Sequence, residues 1–330
     1  MSSPLASMLD VELQPGKPSI LRTETTGDAP GWAAEHRDAL RAVVAEHGAL
    51  LVRGLGLRDA AEVGAVFRRL APSGLMIEKE AFAARQVYAE GVYSSATWPA
   101  NQPMCMHHEL SYRLEVPSLM LFGCLTAPTA GGATAVSDSP TVLEALPTDL
   151  TERFERDGWL LTRSYNDEIG ATVAEAFGTE DRAAVESYCR SNAIGFEWQP
   201  DGGLRTWQRR RAVVGHPVTG KRCFFNQIAF LNEWTIDPEV REYLVEMYGE
   251  DGLQFNTGFG SREPLTAEIV ELINQVYEAN TVREPWQAGD LMLVDNIRTA
   301  HSREAYQGPR EILVGMAEPV RLSDASLSNG

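Results

Sequence analysis

Met104-Cys-Met-His107-His108-Glu109-Leu-Ser-Tyr112, bounded upstream by Pro99-Ala-Asn-Gln-Pro103, is the stretch that decides the fold. Its proline boundary and short apolar pattern read as a β-strand. On a strand, residues i and i+2 share a face, so the His107 imidazole and the Glu109 carboxylate project together and His108 points the other way. The same His-x-acid spacing at His36/Asp38 lies inside a helical pattern, where the two side chains diverge, and reads as a solvated helix face.

Outward from this stretch, Ser118 to Leu125 and Ala133 to Ser137 are further short strands, and strands return at 221–231, 290–295 and 311–317. Helical spacing marks 31–47, closed by Gly48 and followed by the apolar strand Ala49-Leu-Leu-Val-Arg53, then 59–70, 140–156, 171–192 and 265–280. A β framework interrupted by helices predicts a mainly β fold with helical insertions (α+β), built on a double-stranded β-helix of the jelly-roll, cupin-like kind. The 330 residues show no internal repeat and no linker, which predicts one domain. Its parts are a helix/strand unit over about 30–100, a jelly-roll core over 101–137 and 221–320, a mostly helical insertion over 140–215, and a flexible tail over 323–330.

Lys plus Arg number 29 against 46 Asp plus Glu, a net charge of −17 that repels phosphate backbones and anionic membranes. Nucleic acid and membrane partners are therefore not expected. No apolar run approaches the roughly 20 residues of a membrane span, and Met1-Ser-Ser-Pro-Leu5 lacks the basic-then-apolar order of a secretion signal, so a cytoplasmic protein is expected. Cys105, Cys124, Cys189 and Cys223 are too scattered for a disulfide framework or a CxxC metal site and read as reduced.

His107 and Glu109 make a two-ligand half-site. A third ligand would complete the two-His-one-carboxylate set that leaves open positions on non-haem Fe(II). His301 is the best candidate, following the strand-like Gly289-Asp-Leu-Met-Leu-Val-Asp-Asn296, and nine residues later Gly308-Pro-Arg310 presents a guanidinium able to grip a carboxylate bidentately. From chemistry alone, His301 and Arg310 read equally well as a satisfied core histidine and a surface arginine.

The pieces Trp98 to Tyr112, Gly131-Gly-Ala-Thr134, His216-Pro-Val-Thr-Gly220, Phe224-Phe-Asn-Gln227, Asp295-Asn296, His301-Ser-Arg303 and Gly308-Pro-Arg310 resemble, in order and spacing, the taurine dioxygenase-like (TauD/TfdA) Fe(II)/2-oxoglutarate oxygenases. The resemblance runs from about residue 30 to 320. Within the family, His-x-Glu-Leu-Ser-Tyr is most similar to the syringomycin-type branch, whose members hydroxylate amino acids, often on a carrier protein. The resemblance implies His107, Glu109 and His301 as iron ligands, with Arg310 and Thr134 holding the distal carboxylate of 2-oxoglutarate. It further implies O₂ as cosubstrate, an amino-acid-like small molecule as substrate, free or carrier-bound, and a role in natural-product biosynthesis. Hydroxylation with release of succinate and CO₂ is the default outcome; desaturation, epoxidation or cyclisation would use the same site.

Ser302 and Ala133 depart from the family's frequent Gly and Glu, and neither is an expected ligand. Halogenating relatives carry a small residue where this chain has Glu109, so halogenation is disfavoured. Thr134 also reads as an ordinary strand residue, and Asn226 reads equally as a residue facing the substrate or as a buried structural amide. Trp98, Tyr112, Phe225, Phe224 and Trp286 are candidates for a pocket wall or for core. His108 and His216 read as structural. Arg209-Arg210-Arg211 reads as a solvated charge run that could meet an acidic carrier or a substrate carboxylate. A zinc hydrolase or a non-catalytic cupin-like binding protein could use the same three ligands, but HExxH is absent.

Overall fold

Alternation along three long strands sorts the core into two halves. In Glu115–Thr126, Met120, Phe122 and Cys124 face one apolar cluster while Leu119 and Leu121 face another. Met292 and Val294 part from Leu291 and Leu293 in the same way along Leu291–Asp295, as do Ile312, Val314 and Met316 from Leu313 and Ala317 along Glu311–Arg321. Each such side chain contributes roughly 1.5–3 kcal/mol on burial, so the period of two fixes the register of the whole sheet. The computed structural model describes residues 9–322 except 25, 26, 81, 84, 167, 250 and 251. The tail expected over 323–330 lies outside the described residues.

These strands are the centre of an eight-stranded sheet ordered Val11–Glu12, Ser19–Arg22, Ala49–Arg53, Leu291–Asp295, Glu115–Thr126, Glu311–Arg321, Val92–Ser94, Val87–Ala89. The leucine face packs under the helices Ala29–His47 and Ala60–Leu70, whose Leu40, Val43, Val63, Phe67 and Leu70 complete that cluster. Asp28 caps the first helix by accepting from the Gly31 amide, and Gly48 ends it at φ +84, a conformation that glycine adopts without strain, so the chain enters Ala49–Arg53 directly.

The opposite face meets a smaller antiparallel sheet ordered Thr281–Val282, Val136–Asp138, Thr299–Arg303, Met104–His107. Two facing sheets with helices outside form the expected β-rich, cupin-like core. In the smaller sheet His301 is the cross-strand partner of His107. The fold thus brings together two histidines almost two hundred residues apart.

Three expected elements differ. The segment 140–215 is helical only over Ser139–Ala145, Thr148–Asp157, Val173–Phe177 and Arg182–Ser191, while a four-stranded sheet runs in the order Gly195–Trp198, Leu204–Arg210, Trp159–Tyr165 and the later Phe255–Phe259. Its helix-rich composition hid the strands: Leu204–Arg210 buries every second residue, but those residues include Thr206, Gln208 and Arg210. Pro147, which cannot donate a helical hydrogen bond, and left-handed Gly178 break the two predicted long helices. The strand expected at 221–231 covers only Arg222–Phe224; beyond it the Asn226 side chain accepts from the Ile228 amide and turns the chain. The strand expected through Tyr112 stops at His107.

Candidate metal centre and cosubstrate cavity

After His107 the chain leaves the sheet and turns through Leu110 at φ +55, so Glu109 reaches the histidines from a turn and not from a shared strand face. Asn296, at the end of Leu291–Asp295, fixes that turn. Its Oδ1 accepts from the Glu109 amide at 2.8 Å, and its Nδ2 donates to the carbonyls of Glu109 at 3.0 Å and Pro117 at 2.8 Å. The side-chain donor atoms of His107, Glu109 and His301 lie within 4.8 Å of one another, and all three residues are buried.

The electrostatics of this cluster suit a divalent cation. His107 donates from Nδ1 to the Cys105 carbonyl at 2.8 Å, which fixes its tautomer and leaves Nε2 as a lone pair. Burial, aided by the neighbouring His301, holds the His107 imidazole neutral with its pKa lowered to about 3. Burial pushes the Glu109 carboxyl up, but the Arg85 guanidinium and the two imidazoles outweigh it and hold the group ionised, at about 2. His301 Nε2 stands 3.7 Å from Glu109, the spacing at which one cation can be shared, and its buried Nδ1 has no hydrogen-bond partner among the described residues. Two imidazoles and an ionised carboxylate in a dry site fit Fe(II).

Beside the three ligands, Arg310 and Thr134 line the same small cavity with Ser95, Arg85 and Ser302. Arg310 donates from Nε to the Gly132 carbonyl at 3.0 Å and from Nη1 to Ser95 Oγ at 3.2 Å, and no carboxylate of the described residues pairs with it. Burial and the nearby Arg303 charge depress its pKa to about 10. A half-buried guanidinium without a carboxylate partner among the described residues suits an anion. Thr134 Oγ1 accepts from Trp286 Nε1 at 3.2 Å, leaving its own O–H to donate. The cavity among these side chains is small, about 40 Å³.

Of the other expected residues, Trp98 walls an outer pocket of about 590 Å³ that meets this cavity at Arg85. Asn226, Tyr112 and Phe225 line neither space. Asn226 turns the backbone behind His108, Tyr112 donates to the Glu80 carbonyl, and Phe225 packs with Val116, Val214 and Ile297. His108 and His216 are structural: His108 donates to the Asn296 carbonyl and accepts from Ser139, and His216 donates to Asp295 at 2.9 Å. The arginine run is not a solvated patch, because Arg210 is 1% exposed and donates to the carbonyls of Tyr112, Asn192 and Ala193.

Three residues that the sequence did not single out stand at the site. Phe230 stacks on the His107 ring at 4.6 Å, Arg85 bonds Glu109, and Glu78 bonds Arg85. An arginine in an aperiodic segment carries no local signal, and Phe230 lay inside a predicted strand whose end was misplaced. A separate concavity of about 520 Å³ between Tyr165, Trp198 and Tyr248 shares no residue with the site.

Residues 12–317 match the taurine catabolism dioxygenase TauD, TfdA family. The chain belongs to the TauD/TfdA family. It is accordingly a 2-oxoglutarate-dependent non-haem iron dioxygenase, and iron and 2-oxoglutarate are its cofactor and cosubstrate. It is 31% identical to the dapdiamide synthesis protein DdaC of Enterobacter agglomerans over 306 residues, covering 92% of this chain and 93% of that one. It is 27% identical over 290 residues to a clavaminate synthase-like protein of Arabidopsis thaliana, covering 84% of each. Among solved structures, PvcB of Pseudomonas aeruginosa superposes with a TM-score of 0.54 at 16% identity, over 93% of this chain and 89% of that one. A taurine dioxygenase from Burkholderia xenovorans gives 0.53 at 16% identity, over 96% and 92%. These two likenesses establish the shared TauD fold. No helix among the described residues is long and apolar enough to cross a membrane.

Proposed function

We propose that this TauD-family enzyme hydroxylates an unactivated C–H bond of an amino acid or amino-acid-derived small molecule, converting 2-oxoglutarate and O₂ to succinate and CO₂ as one oxygen atom enters the product. His107, Glu109 and His301 hold the iron, and Arg310 with Thr134 holds the distal carboxylate of 2-oxoglutarate. The observation that carries this reading is a half-buried guanidinium, unpaired with any carboxylate of the described residues, in the same cavity as two histidines and a carboxylate. The likeness to a dapdiamide synthesis protein supports a role in amino-acid-related biosynthesis.

Iron and 2-oxoglutarate, when bound, supply the oxidising chemistry. The chain supplies position and dryness. Asn296 holds Glu109 by its backbone, the Cys105 carbonyl holds the His107 ring, and Phe230 covers that ring's face. Arg310 offers a charge-assisted bond to one end of the cosubstrate, and Thr134 adds a second donor at the same oxygens. The outer pocket, walled by Phe82, Trp98 and Phe255, is the space offered to substrate, and it shares Arg85 with the metal cavity.

The test is anaerobic reconstitution with Fe(II) and 2-oxoglutarate, following the weak visible metal-to-ligand charge-transfer band. Wild type shows the band, and His301→Ala and Arg310→Ala lose or weaken it. A wild type that shows no band yet binds zinc tightly overturns the assignment.

A further inference from the structure

Arg85 stands where the metal cavity and the outer pocket meet, and it lines both. Its side chain is 5% exposed, and two buried carboxylates share it. Nε donates to Glu78 at 3.0 Å, while Nη2 divides between the two Glu109 oxygens at 3.3 and 3.4 Å, and Nη1 reaches only the Ser94 carbonyl at 3.4 Å. Only the first of these is a close charge-assisted bond.

The Glu109 charge is the one a metal ion requires. With Glu109 committed to the metal, Arg85 keeps a single carboxylate partner and turns a poorly satisfied guanidinium edge toward the space beside the metal. What remains is a plus-and-minus pair of side chains, Arg85 with Glu78, facing a pocket whose other walls include Phe82, Tyr93 and Trp98, together with the exposed Lys79 and with Glu175, which is held by Thr172. An α-amino acid carries the complementary pair on one carbon. Its carboxylate matches the guanidinium edge that Glu109 gives up to the metal, and its ammonium matches the remaining Glu78 oxygen, so the Arg85–Glu78 pair extends to a four-charge arrangement that stays neutral overall. An ester or thioester carbonyl cannot do this, since it brings no negative charge to Arg85.

We propose that Arg85 and Glu78 form the head-group clamp of the substrate pocket, which takes an amino acid with a free carboxylate. The clamp rests on the reading of His107, Glu109 and His301 as the metal centre. It selects free amino acids over carrier-bound aminoacyl thioesters, and it directs the side chain of the amino acid along the aromatic wall beside Glu109.

The test uses the full-length enzyme loaded anaerobically with Fe(II) and 2-oxoglutarate. It is titrated with a pool of the twenty common L-amino acids and then with pools of their α-methyl esters and N-acetyl derivatives. Two signals are followed, perturbation of the charge-transfer band and quenching of tryptophan fluorescence, to which Trp98 in the pocket wall contributes. Free amino acids are expected to change both signals and the esters neither. Arg85→Gln and Glu78→Gln each weaken the response roughly 30-fold or more, as loss of one partner of a buried charge pair does, and Arg85→Lys restores part of it. If only the α-esters of aspartate and glutamate retain binding, the clamped carboxylate is a side-chain one and the assignment of Arg85 stands. Equal binding of the ester pool, or Arg85→Gln that alters metal affinity alone, overturns the clamp and leaves Arg85 as a counter-ion for Glu109. The band before any addition reports the metal centre separately: its absence in wild type removes both readings, whereas a band that no pool perturbs removes the clamp alone.

Discussion

A guanidinium partly withdrawn from water and unpaired with a carboxylate gains from an arriving anion, and Arg310 is in that position. Arg310→Ala is expected to raise the KM for 2-oxoglutarate by about 100-fold or more, while Mn(II) affinity measured by calorimetry stays within a few-fold; Arg310→Lys, a point charge without the planar fork, should recover only part of the loss. An unchanged KM in the alanine variant would remove Arg310 from the cosubstrate site. The cysteines make the opposite kind of residue-scale statement. Burial pushes Cys105 up to about 11 and Cys124, Cys189 and Cys223 up to about 12, so the reactive thiolate is scarce at neutral pH. A chromogenic disulfide reagent at pH 8 should label none of the four in the native protein within minutes and all four in denaturant; rapid labelling of any native thiol contradicts the burial. At this scale the sequence showed the residues whose chemistry is rare. Two histidines and a carboxylate at these spacings have few other uses, and Asn296 was visible only as part of a motif. Asn226, Tyr112 and Phe225 were indistinguishable from true pocket residues, because which way an amide or aromatic side chain points depends on a turn after Phe224 and on the strand ending at His107.

At the scale of elements, the loop Gly131-Gly132 is the device that aims Arg310. Gly132 has φ +70, and a Cβ there would lie 2.8 Å from Pro128 Cγ, 2.8 Å from Tyr306 Cβ and 3.3 Å from Arg310 Cδ. Gly132→Ala therefore strains the backbone by about 1–3 kcal/mol and pushes on the arginine stem. The expected outcome is a KM for 2-oxoglutarate raised about tenfold or more with metal binding retained, and a melting temperature a few degrees lower by calorimetry. A variant that melts early but keeps its KM would show the loop to be structural only. Elements with strong local punctuation were legible: Asp28 and Gly48 bracket the first helix, Asp59 opens the second, and the apolar runs Ala49–Arg53 and Leu291–Asp295 form strands as read. The insertion was not legible, because beyond Leu204 the buried positions of Leu204–Arg210 are polar side chains, and two of them, Gln208 and Arg210, find their partner in the distant Tyr112 carbonyl. A pattern read along the chain does not carry that information.

At the scale of the molecule, Glu80 ties the insertion to the site. Its carbonyl accepts from Tyr112 at 2.9 Å and from Arg163 at 2.7 Å, its carboxylate accepts from Tyr188 at 2.6 Å and stands 3.8 Å from Arg113, and its amide donates to the Ala176 carbonyl at 2.9 Å. One buried residue thus joins two helices and a strand of the insertion to the segment that follows Glu109, and it sits between Glu78 and Arg85 on the chain. Its φ of +59 is costly for a residue with a side chain, so the surrounding bonds must hold it there. Removing the carboxylate leaves the Tyr188 hydroxyl and the Arg113 charge without their partner, and Glu80→Ala is expected to cost about 3 kcal/mol or more, as breaking a buried ionic network does. Because the central sheet makes none of these bonds, the loss should be local first. Hydrogen exchange should accelerate in Trp159–Tyr165 and Leu204–Arg210 while Glu115–Thr126 and Leu291–Asp295 keep their protection, and Glu80→Gln, which preserves shape and removes charge, should fall between alanine and wild type. If exchange rises equally in both sheets, the insertion and the core unfold as one cooperative unit and Glu80 is not a joint between them. If it rises in the insertion alone, the Arg85 segment should loosen with it, and amino-acid affinity should fall while the iron and 2-oxoglutarate band persists, because His107 and His301 sit on the strands Met104–His107 and Thr299–Arg303 of the small sheet and Glu109 is held by Asn296.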